Sequence, residues 1–517
     1  MTRNSRTYRL SHWVGGAALL AASTAMAPDA GAFEAVETTA ATGAATVVDL
    51  RTAPNLPNVP QQPINTLHNN ITMADHLIAK QKAAASLALA QLKAAGPVGF
   101  APTLRGINIA GINEGVFGGF PPDGDIAVST NFVLHIVNFG VDIYNKAGGL
   151  LTRKSFATFF NNTTDFIFDP RAYWDPYWDR FVVMADGQRG SGATAQSYFE
   201  LAISTTNNPS GSYFIYRFTI SPAGDFLDFP DLGMDQDAII VTVNDFLKGG
   251  GFDARVFSLA KARMYSGMGT GFTFRGGSGC TIAPPYVLDN NPTTYLLVAC
   301  PNDNKVYLGA MTNTSRSNAQ TVFWKAIIPV PAYRVAADAP QPGVNYALET
   351  GDNEFEQRSI QLGSRIWNVH TVSVGTATPR WYEFDTGSNS LVADSIWFAS
   401  GTSSDWHPSI VANTAGETFG TWMSVDAPRN LNLSLHFNGG SGNSAGGGAG
   451  GTLFTSTQPL TGQTFPFPRH RAGDFSYIAL DPSSYPGCAA NRRAWLEGEV
   501  TFGPNLWGTR IGRVGNC

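Results

Sequence analysis

Charge is scarce in this sequence. Asp, Glu, Lys and Arg together make up 14% of its 517 residues, against about a quarter in an average soluble domain. The net charge is −5, and no basic run is long enough to neutralise a phosphate backbone. This argues against nucleic acid as a partner. Beyond the N-terminus no stretch is long and apolar enough to span a bilayer. There are only four cysteines, none in a Cys-x-x-Cys arrangement. His-x-His and His-x-x-x-His pairs are missing, so the spacing offers no zinc motif. No phosphate loop or dinucleotide fingerprint occurs in the strand–helix setting each requires, which removes the commonest nucleotide and redox signatures.

What is abundant is glycine (55 residues) and aromatic side chains (12%). That composition suits many short strands joined by tight turns rather than helices. The N-terminus reads as an export signal over residues 1–32. Arg3, Arg6 and Arg9 precede a short apolar stretch, Trp13 to Met26, and Ala30-Gly31-Ala32 supplies the small residues a signal peptidase reads. The mature chain is then expected to be secreted or periplasmic, cleaved near Ala32. In that oxidising setting four cysteines suggest two disulfides. Three connectivities are open, and the local one, Cys280 with Cys300 and Cys488 with Cys517, is preferred here. Residues 33–102 form a leader. Its first part, to about 65, is rich in Ala, Thr and Pro and reads as flexible. A helix is expected over about 73–95, closed by Gly96-Pro97.

From 103 to 517 the helical signal vanishes. Short runs such as Phe132–Asn138, Arg180–Met184, Ala238–Val243 and Glu417–Met423 recur between Gly, Asn, Asp and Pro, many with period two. The pattern is all-β and leaves sandwich, barrel or propeller. Turn-opened units near residues 120, 168, 230, 285, 355, 406 and 473 predict a single β-propeller, with seven blades favoured and six or eight open. The Gly/Ser/Ala-rich stretch Gly439 to Gly451 reads as a mobile surface loop.

Several motifs then become familiar in order: Pro121-Pro122-Asp123-Gly124-Asp125, Asp169-Pro170-Arg171, Asp231-Leu232-Gly233, Arg471-Ala472-Gly473-Asp474-Phe475, and Trp507-Gly508-Thr509-Arg510-Ile511. The set, spread over about residues 115–515, resembles a broad group of secreted bacterial proteins regarded as sialidase-like β-propellers, most without an established activity. Ser204 to Tyr213 looks like a degenerate Asp-box, the turn that joins outer blade strands in sialidases.

Polar motifs sit where inner strands should begin, which would gather them at one mouth of the axial channel. The resemblance implies a carboxylate clamp of three arginines, here Arg171, Arg358 and Arg471, because the guanidinium fork matches a carboxylate. It also implies a Tyr nucleophile assisted by a Glu, for which Tyr477 or Tyr382 with Glu356 are candidates. Asp123, Asp125 and Asp474 are the candidate acids. His407 and Trp406 are further substrate-binding candidates, and among the histidines His407 and His470 stand ahead of His370. Trp174 and Trp178 are open as sugar platforms, whereas Trp422 and Trp507 read as packing. A second role for Asp123, Asp125, Asp169, Asp231 and Asp474 is to ligate Ca²⁺, against the plain alternative of turn chemistry.

Two functions follow. The first is an exported glycan-processing enzyme, of glycoside hydrolase or lyase type, acting on an extracellular saccharide. The second is a non-catalytic propeller that binds carbohydrate or protein. A peptidase has no nucleophile–base motif behind it.

Overall fold

The computed structural model describes residues 37–60, 73–86, 93, 102–316, 320–441, 445–461, 464–465, 469–503 and 505–517. The expected signal segment and the second half of the expected helix lie outside these residues, apart from position 93.

Among the described residues, seven antiparallel units succeed one another. Blade one is a meander of Asp125–Val128, Phe132–Val137, Gly140–Asn145 and Leu150–Ser155. Blades two and three repeat it, with inner strands Phe166–Asp175 and Phe226–Met234. Blade four opens at Ala283, which bridges to Leu297, and runs through Thr294–Val298, Lys305–Thr312 and Gln320–Pro329. Blades five and six begin with Ser359–Leu362 and Ser404–Ala412. In blade seven Tyr477–Asp481, Arg493–Gly503 and Leu506–Gly515 are completed on the outside by Thr103–Asn113, from the other end of the domain. Successive inner strands pack side by side round the ring, and the last packs on the first. This closed, radial order of short sheets is a β-propeller, an arrangement that leaves only short edges at its rim.

Three inner strands start with the same irregularity. Asp169, Phe229 and His407 have positive φ (49°, 53° and 46°), each is followed by proline, and each stands at a register shift. Asp123 (φ 43°), followed by Gly124, opens blade one in the same way. A left-handed conformation is rare for a residue as bulky as Phe. A bulge re-aims the side chains beside it. Here Asp125, Arg171 and Asp231, two positions further on in their blades, are all fully buried, and they gather in one cluster near the axis.

The leader is not a flexible tail over its described part. Glu37–Ala41 adds a strand to the outer edge of blade three, and Thr46–Asp49 adds one to blade two. Unpaired N–H and C=O groups on those outer strands gain partners in this way. Helix α1 (Met73–Ser86) rests on the connection before blade five. There Lys80 donates to Thr350 Oγ1 (2.8 Å) and lies near Asp338 (3.2 Å) and Glu349 (3.3 Å). Lys93 is buried and pairs with Asp405 at 2.6 Å.

The described parts of the Gly-rich stretch, 439–441 and 445–451, are built into the blades rather than standing off as a loop. Trp381 and Trp397 donate to the carbonyls of Gly446 (2.8 Å) and Ala445 (3.0 Å), and Gly448–Ala449 pairs with the outer strand of blade five. The small residues let this segment wedge between blades. Trp397 in turn stacks on Trp422 (5.8 Å between centroids), over Gly420, where a Cβ would strike the indole. The turn from Thr205 to Gly211 joins the two outer strands of blade two, the place an Asp-box occupies.

Candidate functional site

The polar residues at the inner-strand starts fall into two groups. The deeper one lies in the middle of the channel. Asp125, fully buried, accepts from the backbone N–H of Ile126 (2.6 Å) and Ala172 (2.8 Å). It faces Arg358, whose Nη1 and Nη2 lie 3.2 and 3.3 Å from its two oxygens. Arg171 lies 3.5 Å over the Phe475 ring and donates to the Pro170 carbonyl (3.0 Å), with Nε 3.9 Å from Asp231. The Tyr477 ring sits between Arg171 (5.8 Å) and Arg358 (4.7 Å), and its hydroxyl is 3.5 Å from Asp231 Oδ1. Five inner strands thus place two cations, two acids and a phenol in one water-poor cluster. Burial pushes Asp231 up to about 6, although Arg171 and Arg358 pull the other way. Burial likewise raises the Asp125 carboxyl and lifts the Tyr477 phenol well above its usual value.

The second group lies at the mouth where the inner strands start. Asp123 is a tie rather than an available acid. Its oxygens accept from the Asp474 N–H (2.8 Å) and from Asn138 Nδ2 (2.7 Å), and Asn138 in turn accepts from the Asp169 N–H (2.7 Å). Asp474 is paired with Arg471. Glu356 lies 2.9 Å from His407 Nδ1. Arg471 is therefore occupied with Asp474, while Arg171 and Arg358 meet at Tyr477, so the three-arginine clamp divides into two and one. Glu356 faces His407 rather than Tyr477. Tyr382, the other tyrosine considered, is buried against His370 (3.0 Å). Trp406 is fully buried and offers no stacking face. The same holds for Trp422 and Trp507. Carboxylates crowd this mouth. Glu354 is pushed well up by burial and by Asp352 and Glu356, and Glu499 by burial and by Glu497 and Asp123. Gly124 is required here, since a Cβ would press on the Glu497 carboxylate.

An axial cavity of about 420 Å³ opens at the opposite mouth, where the inner strands finish. Its wall carries Tyr173, Trp174, Tyr177 and Tyr286 beside Val411 and Ile478, and Arg358 borders it from the deep cluster. The expected gathering at the strand starts is real, but the accessible space lies at the other end. Of the aromatic platforms considered, Trp174 lines this space. Trp178 stands outside it and is 38% exposed.

Sequence reasoning missed Asp231 as the neighbour of Tyr477, having weighed it only as a calcium ligand. It also missed Glu349 and the cavity tyrosines. The dense acid run from Glu349 to Glu356 is a signal for the first of these. The tyrosines carry none, because only ring closure brings them together.

A closed propeller with a charged axial cluster and an aromatic-walled cavity is the class this geometry defines. No family model matches the sequence, and no curated protein matches it. Solved structures similar to it include a neuraminidase-like protein of A/flat-faced bat/Peru (13% identity, 69% of this chain and 97% of that one, TM-score 0.37). Another is a neuraminidase-like protein of A/little yellow-shouldered bat/Guatemala (13% identity, 66% and 98%, TM-score 0.35). A third is an exo-β-1,3-galactanase from Phanerochaete chrysosporium (12% identity, 62% and 80%, TM-score 0.31). With scores this low, the fold assignment rests on the sheet order and the closed ring.

Two disulfides are present, Cys280–Cys300 and Cys488–Cys517, the local pairing expected. Such bonds persist in oxidising compartments, which is consistent with an extracellular or periplasmic protein. No helix among the described residues is long and apolar enough to cross a membrane.

Proposed function

We propose that this propeller is an exported glycan-processing enzyme of the glycoside hydrolase type. It takes an extracellular saccharide into the axial cavity from the mouth where the inner strands finish. The observation that carries this reading is the position of Tyr477, flanked by Arg171 and Arg358 with Asp231 3.5 Å from its hydroxyl, directly behind a cavity walled by aromatic rings.

In this scheme the aromatic wall stacks on sugar faces, and Arg358 receives a carboxylate of an acidic sugar unit. Asp231, ionised above about 6, takes the Tyr477 proton as the phenolic oxygen attacks the anomeric carbon. The glycosidic bond breaks, and Asp231 passes that proton on to the departing oxygen, while Asp125, a carboxylate held by Arg358 and two backbone N–H groups, keeps the guanidinium in place. Water then hydrolyses the tyrosyl–sugar bond.

The test is to incubate the purified chain with acidic and neutral polysaccharides and measure new reducing ends. Turnover should fall at least 100-fold in Tyr477→Phe and in Asp231→Asn while the circular dichroism spectrum is kept. Full turnover in both variants removes this reading.

One observation favours a second reading, a non-catalytic saccharide-binding propeller: Arg358 and Asp125 already face each other with both nitrogens engaged. Saccharide binding that is lost on Tyr177→Ala or Trp174→Ala, with no product from any substrate, would establish it.

A further inference from the structure

The carboxylate-rich mouth opposite the cavity holds a group that the glycosidase reading does not use. Glu349, His407 and Asp474 come from the blade-five connection, the inner strand of blade six and the start of blade seven. All three are buried, and each offers one ligand atom within 4.8 Å of the others. A tetrahedral ion with bonds of about 2.0–2.2 Å keeps its ligand atoms about 3.4 Å apart. Small side-chain rotations therefore close the set onto one centre.

Two further observations point to a cation rather than to a plain ionic network. The first is His407. Its Nδ1 lies 2.9 Å from Glu356 Oε2. A carboxylate on one imidazole nitrogen fixes the tautomer and turns the other nitrogen outward as a lone-pair donor, which is how ligating histidines are held in metalloproteins. The second is His76 on helix α1. It is 2% exposed, and neither ring nitrogen makes a hydrogen bond. Its Nε2 lies 3.6 Å from Glu349 Oε1. A buried imidazole in that state, on the edge of a carboxylate–histidine cluster, is explained by an ion that both it and Glu349 bind.

We propose that Glu349, Asp474, His407 and His76 form a site for one divalent transition-metal ion of the zinc class, with Glu356 positioning His407. Two imidazole nitrogens and two carboxylates suit Zn²⁺ better than Ca²⁺, which takes six to eight oxygens. Lys80, 3.3 Å from Glu349, and Arg471, paired with Asp474, flank the two acids and share their charge. Because His76 belongs to α1 and the other three ligands to the propeller, the ion would tie the leader helix onto the mouth. The site is independent of the saccharide cavity at the other end, so either assignment can fail without the other.

The experiment uses the whole purified chain without a histidine tag, stripped with a chelator and then titrated with ZnCl₂, MnCl₂ or CaCl₂. Calorimetry and elemental analysis after desalting are the readouts. One equivalent of zinc is expected at micromolar or tighter affinity, with calcium at least 100-fold weaker. His407→Ala should abolish the tight site. Should that variant not fold, Glu356→Gln is expected to weaken zinc 10- to 100-fold. His76→Ala is expected to weaken it at least 10-fold and to abolish zinc protection of α1 from limited proteolysis. No stoichiometric zinc, zinc binding unchanged in all three variants, or calcium bound more tightly than zinc would each overturn the proposal.

Discussion

Arg358 and Asp125 stand 233 positions apart in sequence and meet at 3.2 Å across the axis of the ring, one from blade five and one from blade one. Both are buried, so their attraction acts where water screens little. Removing Arg358 alone leaves a buried carboxylate with two backbone N–H donors and only the more distant Arg171 as counter-charge. Arg358→Met should therefore cost about 3–5 kcal/mol, and the double variant Arg358→Met with Asp125→Asn should recover part of it. Urea unfolding midpoints of the two variants give the comparison.

Asp231 gives the cluster a pH signature. Its folded value is about 6 because of burial, above the ordinary carboxylate value of about 3.9. The folded state then holds a proton that the unfolded state has released. Stability contributed by this group is full below about pH 4, falls as pH rises, and levels off above about 6. Asp231→Asn should flatten that part of the profile. The check is a pair of thermal-unfolding series from pH 4 to 7, wild type against variant, since Asp245 is also raised to about 6 and contributes to both.

Lys93 reaches from the leader into the propeller. Its ammonium pairs with Asp405 and donates to the Ser403 carbonyl at 2.8 Å. Asp405 also accepts from Trp422 Nε1 (2.9 Å), the Ala399 N–H (2.8 Å) and Ser403 Oγ (2.6 Å). With those donors remaining, Lys93→Met should cost about 2–3 kcal/mol, towards the lower end for a broken buried pair. Asp405→Asn should cost more, because it strands the ammonium. Proteolysis near residue 93 should accelerate in both.

Cys488 and Cys517 pin the last strand of blade seven, across 29 residues. A loop of that length predicts roughly 3–4 kcal/mol of stabilisation through the unfolded chain. Cys517→Ser should lower the unfolding midpoint accordingly, whereas reduction of wild type should produce the same shift plus that of Cys280–Cys300. Differential scanning calorimetry with and without reductant separates the two.

The propeller reading was open to inspection because strand-and-turn periodicity is local. Asp123, Asp169, His407 and Asp474 stand at or near strand starts in the structure, as their neighbouring Gly and Pro residues announced, and Asp231 lies further along its strand. Which of them face one another is decided by closure over hundreds of residues, and no local signal reports it. The pairing of Glu356 with His407 was hidden for that reason, whereas the ion pair of Arg471 with Asp474, three positions apart, is local. So was the side of the ring on which space remains. The leader misled for a different reason. Its Ala- and Thr-rich sequence has little to bury alone, and it gains strand structure from the outer edges that blades two and three present to it.

The blade that joins Thr103–Asn113 to Leu506–Gly515 imposes an order on biogenesis. A chain that emerges N-terminus first carries one unmatched edge until Leu506–Gly515 has been made, and only then does the ring lock. Any product cut short, by a premature stop or a nick in the tail, is left an open crescent rather than a slightly smaller wheel. A check on folding can therefore read from that one seam whether the ring has closed.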